Sequence, residues 1–134
     1  MLGEAHWLAG NLDGAQGCWQ EALRQFRALG NPEAIAITQH HLGQAARRQG
    51  RLDAAAALYS ESLAANQAAG NRHMAARCLA GLGAVALARG ERDEAGRLLG
   101  AAKAIFDTLP PFLAPADSAE FVALVEAARA ALDL

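Results

Sequence analysis

The chain repeats itself every forty residues. Glycine occupies positions 10, 30, 50, 70 and 90, and a shift of forty superimposes Leu2-Gly3 on Leu42-Gly43 and Leu82-Gly83. The same shift lays Gly10-Asn11-Leu12-Asp13-Gly14-Ala15 over Gly50-Arg51-Leu52-Asp53-Ala54-Ala55 and Gly90-Glu91-Arg92-Asp93-Glu94-Ala95. Trp19, Tyr59 and Leu99 share a column of large residues, Ala22, Ser62 and Ala102 share a small one, and Gly30-Asn31 recurs as Gly70-Asn71. A period of this length marks an array of stacked supersecondary units, none of which can bury its apolar face alone.

Each twenty-residue half reads as one helix. The 134 residues include 35 Ala and only eight β-branched residues, a composition that favours helix and starves a sheet. Ala55, Leu58, Tyr59, Ser62 and Leu63 fall at the spacing of an amphipathic stripe, as do Ile35, Thr38, Gln39, Leu42 and Ala46. The regularly spaced glycines supply the left-handed residue that closes a helix. Asn31-Pro32-Glu33 then restarts the chain with an N-cap, a Pro in the first turn and an acid. Asp13, Asp53 and Asp93 place a carboxylate near the start of each second helix. These signals predict helices near 1–9, 12–29, 33–49, 53–69, 72–89 and 92–108, with another near 116–133. Gly43 and Gly83 fall inside helices, where Gly costs about 1 kcal/mol relative to Ala. The repeated cost implies close approach, with Ala55 or Ala95 fitting the gap and Tyr59 or Leu99 beside it.

Several classes of function find no support. Twelve basic residues against fourteen acidic ones leave a formal charge of −2, which gives no general pull toward nucleic acid. Cys18 and Cys78 are sixty residues apart at apolar helical positions, which suits buried free thiols. No signal peptide is visible at the start, and the longest apolar run, Cys78 to Ala88, has eleven residues where a membrane span needs about 20. His40 and His41 point about 100° apart on a helix and so do not form a metal pair. His6 and His73 have no carboxylate or cysteine at ligand spacing. Ser60, Ser62 and Ser118 lie outside any nucleophile-elbow pattern. The expectation is a cytoplasmic, non-catalytic protein with no metal and no cofactor.

The columns resemble the tetratricopeptide repeat (TPR). Its Leu-Gly pair, turn Gly, Ala, aromatic and small residue appear as Leu42-Gly43, Gly50, Ala55, Tyr59 and Ser62, then as Leu82-Gly83, Gly90, Ala95, Leu99 and Ala102. The period is longer than the usual thirty-four, and Gln67 stands where the shorter form has Pro. The chain is similar to the longer-helix TPRs in the C-terminal regions of large bacterial ATP-binding transcriptional regulators and in some eukaryotic scaffold proteins. The resemblance implies an all-α solenoid of antiparallel helix pairs in a right-handed superhelix. It would form one domain over 1–134: a truncated repeat over 1–30, repeats over 31–70 and 71–109, and a capping helix over 110–134. In the cap, Phe121, Leu124, Val125, Ala128 and Leu132 form the apolar stripe.

The resemblance also implies a concave groove lined by the first helix of each pair. Carried over by column, its residues are Glu4, Trp7 and Leu8, then Ile37, His40, Gln44, Arg47 and Arg48, then Arg77, Ala80, Ala84 and Leu87. Residues 41–100 carry eight Arg against five acids, so the groove would favour an acidic peptide or a chain-terminal carboxylate. Gly81 departs from the TPR carboxylate clamp, which uses a polar side chain there. The function implied is protein or peptide binding, with no nucleic acid and no membrane contacted. The alternative is a sensing or oligomerisation segment of a larger signalling ATPase or transcriptional regulator.

Residues 1–9 align with 41–49, so the first helix begins about eight residues late; the expectation is a piece excised from a longer array, and the alternative is a genuinely short first helix. Such a helix would cover only part of the next one, which carries Trp19, Leu23 and Phe26. The expectation is a two-fold homodimer through an N-terminal edge formed by Trp7, Trp19 and Phe26.

Overall fold

The computed structural model describes residues 12–110 and positions 123, 125, 126 and 130. Five helices run through 12–110: α1 Leu12–Leu29, α2 Pro32–Arg48, α3 Leu52–Ala69, α4 Arg72–Ala88 and α5 Arg92–Phe106. Each agrees with its predicted span to within two residues, and no strand occurs among the described residues. The expected helix at 1–9, with Glu4, Trp7 and Leu8, lies outside the described residues. Of the expected cap, positions 123, 125, 126 and 130 are helical, with Val125 half-buried and Glu126 exposed.

The turns follow from the glycines. Gly30, Gly50, Gly70 and Gly90 have φ of 66°, 78°, 73° and 77°, where a Cβ would be strained. Around them the next residue's N–H reaches back to the preceding helix: Asn31 to Phe26, Arg51 to Ala46, Asn71 to Asn66 and Glu91 to Ala86, at 2.9–3.1 Å. This is the Schellman closure, four times over. Asn31 and Asn71 restart the chain, their side chains accepting from Ala34 N and Met74 N at 3.1 Å. Arg51 and Glu91 hold the other two N-cap positions without a side-chain hydrogen bond. There the acids in the first turn, Asp53 and Asp93, serve the helix dipole instead. Asp53 also forms an ion pair with Arg89 at the end of α4.

Consecutive helices pack on one another, and α2 also touches α4 directly, so the described chain stacks as pairs α2/α3 and α4/α5 with α1 against α2. Two apolar clusters hold it: Ala15, Trp19, Leu23, Leu42 and Ala45 at one end, and Ala46, Ala55, Tyr59 and Val85 in the middle. The mid-helix glycines sit where the helices come closest. A methyl group at Gly43 would lie 3.1 Å from the Tyr59 ring, and one at Gly83 would lie 2.6 Å from Leu99 Cγ. Ala55 and Ala95 are fully buried beside them.

A third close approach was not anticipated. A methyl at Gly81 would lie 2.4 Å from Tyr59 Cζ. Tyr59 therefore passes from Gly43 in its own pair to Gly81 in the next. The same offset of twenty-two residues places Trp19 on His41, with the rings stacked at 5.0 Å and 11°. Trp19 is 1% exposed, which corrects its expected place on an open edge: the flat imidazole covers it within one chain. Phe26 is half-buried and Leu29 is 78% exposed.

Polar side chains tie the layers together. Ser62 Oγ donates to the Ala36 carbonyl at 2.6 Å, and Asn66 Nδ2 donates to Ser62 O at 2.9 Å. Cys78 Sγ donates to Ser62 Oγ at 3.3 Å. Burial pushes the Cys78 thiol up to about 11, despite the Ser62 hydrogen bond, so it is an inert core thiol. Cys18 is free and half-buried, less enclosed than its apolar position suggested.

Candidate functional site

The first helices of the two complete pairs, α2 and α4, lie side by side and carry most of the expected groove residues. Ile37, Gln44 and Arg47 on α2 are half-buried and Arg48 is exposed; Arg77, Ala80 and Leu87 on α4 are half-buried. Two residues depart from the expectation. His40 is 2% exposed and Ala84 is 5% exposed, so neither presents a side chain at the surface. Ala84 is too short to rise out of the layer. His40 turns inward, where its ring meets Tyr59 edge-on at 5.5 Å and 63°. Trp7 lies outside the described residues.

The rings form a continuous run beneath this face. Trp19 stacks on His41, His41 meets His40 edge-on at 5.8 Å, and His40 meets Tyr59, whose ring ends against Gly81. Gly81 leaves the clamp pattern for a steric reason: any side chain there would displace the tyrosine of the preceding pair. Arg47 Nε donates to Tyr59 Oη at 3.4 Å, and His41 Nδ1 lies 3.4 Å from Gln44 Oε1. The ring run, buried at Trp19, His40 and Tyr59 and half-buried at His41, thus supports Arg47 and Gln44 beside it.

Electrostatics single out His40. Burial, above all, holds its imidazole well below the usual histidine range, and the charges of Arg77, His41 and Arg47 add to that. A hydrogen bond to the Arg77 backbone works in the opposite direction and is outweighed. Its Nδ1 is buried without a hydrogen-bond partner. The unfolded chain therefore binds a proton below pH about 6.5 that the folded chain refuses, and stability falls as pH drops through that value. Between pH 6.5 and 5.0 the stability of the wild type is expected to fall more steeply than that of His40→Phe, by up to about 1.4 kcal/mol per pH unit. Urea titrations at several pH values measure this, and parallel slopes would place His40 in a solvated site.

The site offers shape and charge. Among the described residues, no three His, Cys, Asp or Glu side chains are grouped to hold a metal, and no helix is long and apolar enough to cross a membrane. Sequence reasoning missed the inward turn of His40 and the role of Gly81. The offset from Trp19 to His41 and from Tyr59 to Gly81 carried the signal for the second.

Antiparallel helix pairs stacked through glycine-lined contacts, with arginines on the first-helix face, define a helical-repeat protein of the kind built to present a surface. The tetratricopeptide repeat profile matches residues 1–68 and 34–108, and the chain belongs to that family. A stretch of 39 residues, 29% of the chain, is 51% identical to the regulatory protein AfsR of Streptomyces griseus. That stretch amounts to 4% of the length of AfsR.

Proposed function

We propose that this chain is a non-catalytic protein-binding module that holds an acidic peptide segment along the face formed by α2 and α4. The observation that carries the reading is the placement of Arg47 and Arg77, one from each first helix. Both are half-buried, and the helices that carry them touch directly. Arg47 is steadied by Tyr59, and Ile37, Ala80 and Leu87 add half-buried apolar contact on the same helices. TPR repeats typically mediate protein–protein contacts, which accords with a surface of this kind. Arginine forks suit carboxylates, and charge-assisted hydrogen bonds are among the stronger polar contacts.

The similarity to a regulatory protein favours a second reading, in which the module is a sensing or oligomerisation segment within a longer cytoplasmic bacterial regulator. The two readings share a surface and differ in what occupies it. Fluorescence polarisation of a labelled Asp/Glu-rich peptide should show binding to the wild type that Arg47→Ala/Arg77→Ala weakens at least about tenfold, since each lost charge-assisted hydrogen bond is worth about 1.5–3 kcal/mol. Equal affinity in the two proteins would remove the groove reading.

A further inference from the structure

The start of α2 and the end of α3 border a cavity of about 230 Å³. Buried Ala36 and Asn66 and half-buried Ala65 line its inner part, and exposed Pro32, Glu33 and Ala69 line its mouth. Asn66 is 2% exposed, an uncommon depth for a side-chain amide. Both hydrogen bonds of that amide leave through Nδ2, to the Ser62 carbonyl at 2.9 Å and to Ser62 Oγ at 3.2 Å. The carbonyl can only accept, and the Ser62 hydroxyl gives its own proton to the Ala36 carbonyl, so the amide has one consistent orientation. Asn66 Oδ1 is then the acceptor left for a donor in the cavity.

The next helix pair treats the same columns differently. A shift of forty places Phe106 at the column of Asn66, His73 at that of Glu33, Ile105 at that of Ala65 and Leu109 at that of Ala69. There the Phe106 ring meets His73 edge-on at 6.5 Å and 65°, and Arg72 donates to Thr108 Oγ1 at 2.9 Å across the same two helix ends. Phe also stands at the matching position 26. The α2/α3 pair thus lacks the ring and the bulky aliphatics that its successor puts there, and carries an amide oxygen and a carboxylate in their place.

We propose that the cavity between α2 and α3 is a binding pocket for a small aromatic amine, with the ring against the alanines and the ammonium donating to Asn66 Oδ1 under the pull of Glu33. The space suits a single ring on a short stem: an apolar cavity of about 150 Å³ is enough to hold benzene. The polar groups choose the rest of the ligand. An amide oxygen and a carboxylate both accept, so a donor with positive charge satisfies them and a carboxylate ligand is repelled. Neither Arg47 nor Arg77 lines the cavity, so this site stands or falls independently of the acidic-peptide face.

NMR titration of the nitrogen-labelled chain with phenethylamine at pH 7 tests the assignment, read at the side-chain amide of Asn66. The expected result is a saturable shift of that resonance, with phenylacetate about tenfold weaker because its charge is reversed beside Glu33. Glu33→Gln should weaken the amine about threefold and leave phenethyl alcohol unchanged. Ala65→Ile/Ala69→Leu, which restores the residues of the next pair, should abolish binding by filling the space. Ala69→Leu alone changes one exposed position and should weaken the amine in the same direction should the double variant fail to fold. An unmoved Asn66 amide, equal affinity for phenylacetate, or undiminished binding to the filled variants would overturn the proposal. Tighter binding of Phe-Gly-Gly-amide than of phenethylamine would also overturn it, and would give the pocket to the first residue of a polypeptide.

Discussion

Tyr59→Ala should lower the free energy of unfolding by about 3–5 kcal/mol, the usual range for removing a buried aromatic ring. Tyr59 is fully buried and bridges two helix pairs, so its loss opens a cavity at the joint between them. The reciprocal change, Gly81→Leu, should cost about 3 kcal/mol, the upper part of the overpacking range. The ring has little room to swing aside toward α2, because it already packs so close to the bare backbone of Gly43 that an added methyl there would lie 3.1 Å from it. In the double variant the leucine can enter the volume the ring vacates, so the pair should be more stable than the sum of its parts. Urea denaturation of all four proteins checks this. Strict additivity would mean that Tyr59 and Gly81 do not share one space.

Trp19→Ala should cost about the same, roughly 3–5 kcal/mol, but the damage should be local. Repeat arrays gain stability from each unit and its neighbours, and Trp19 joins α1 to α2 through His41. Amides of α1 should therefore exchange much faster in this variant, while those of α4 and α5 stay close to wild type. Tyr59→Ala, at the centre, should accelerate exchange on both sides of the α3/α4 joint. Uniform acceleration in both variants would show one cooperative unit in place of a chain of coupled ones.

The helices and their turns were legible because short-range chemistry decides them. A glycine every twenty residues dictates where each helix closes, and Asn31 and Asn71 announce the next start. Gly43 and Gly83 were legible as close contacts because a helix tolerates glycine only where something requires it. Gly81 followed the same logic, but its partner lies twenty-two residues back in another pair, and only the packing of Tyr59 reveals it. The column of His40 points to the surface. A column gives the direction of a Cα–Cβ bond and leaves the side-chain rotamer open. The neighbouring Tyr59 edge and Arg77 backbone draw the imidazole inward, and both belong to helices distant in sequence. Ala84 shows the same limit from the other side, since a single methyl remains below neighbours that rise past it.

The contacts between successive pairs are matched in size: indole on flat imidazole at Trp19 and His41, phenol on bare backbone at Tyr59 and Gly81. Repeat genes commonly grow by copying a unit in place, and here copying is restricted. A tandem duplicate of residues 31–70 would bring the phenol of the first copy against a second His41, at a position where the native successor leaves no room for even a methyl. The array can be lengthened at that joint by a unit with glycine at the receiving position, or by one whose flat ring takes the phenol as His41 takes the indole of Trp19, with the phenol moving to suit. Each repeat therefore specifies its successor, and the order of units in the chain is part of its structural information.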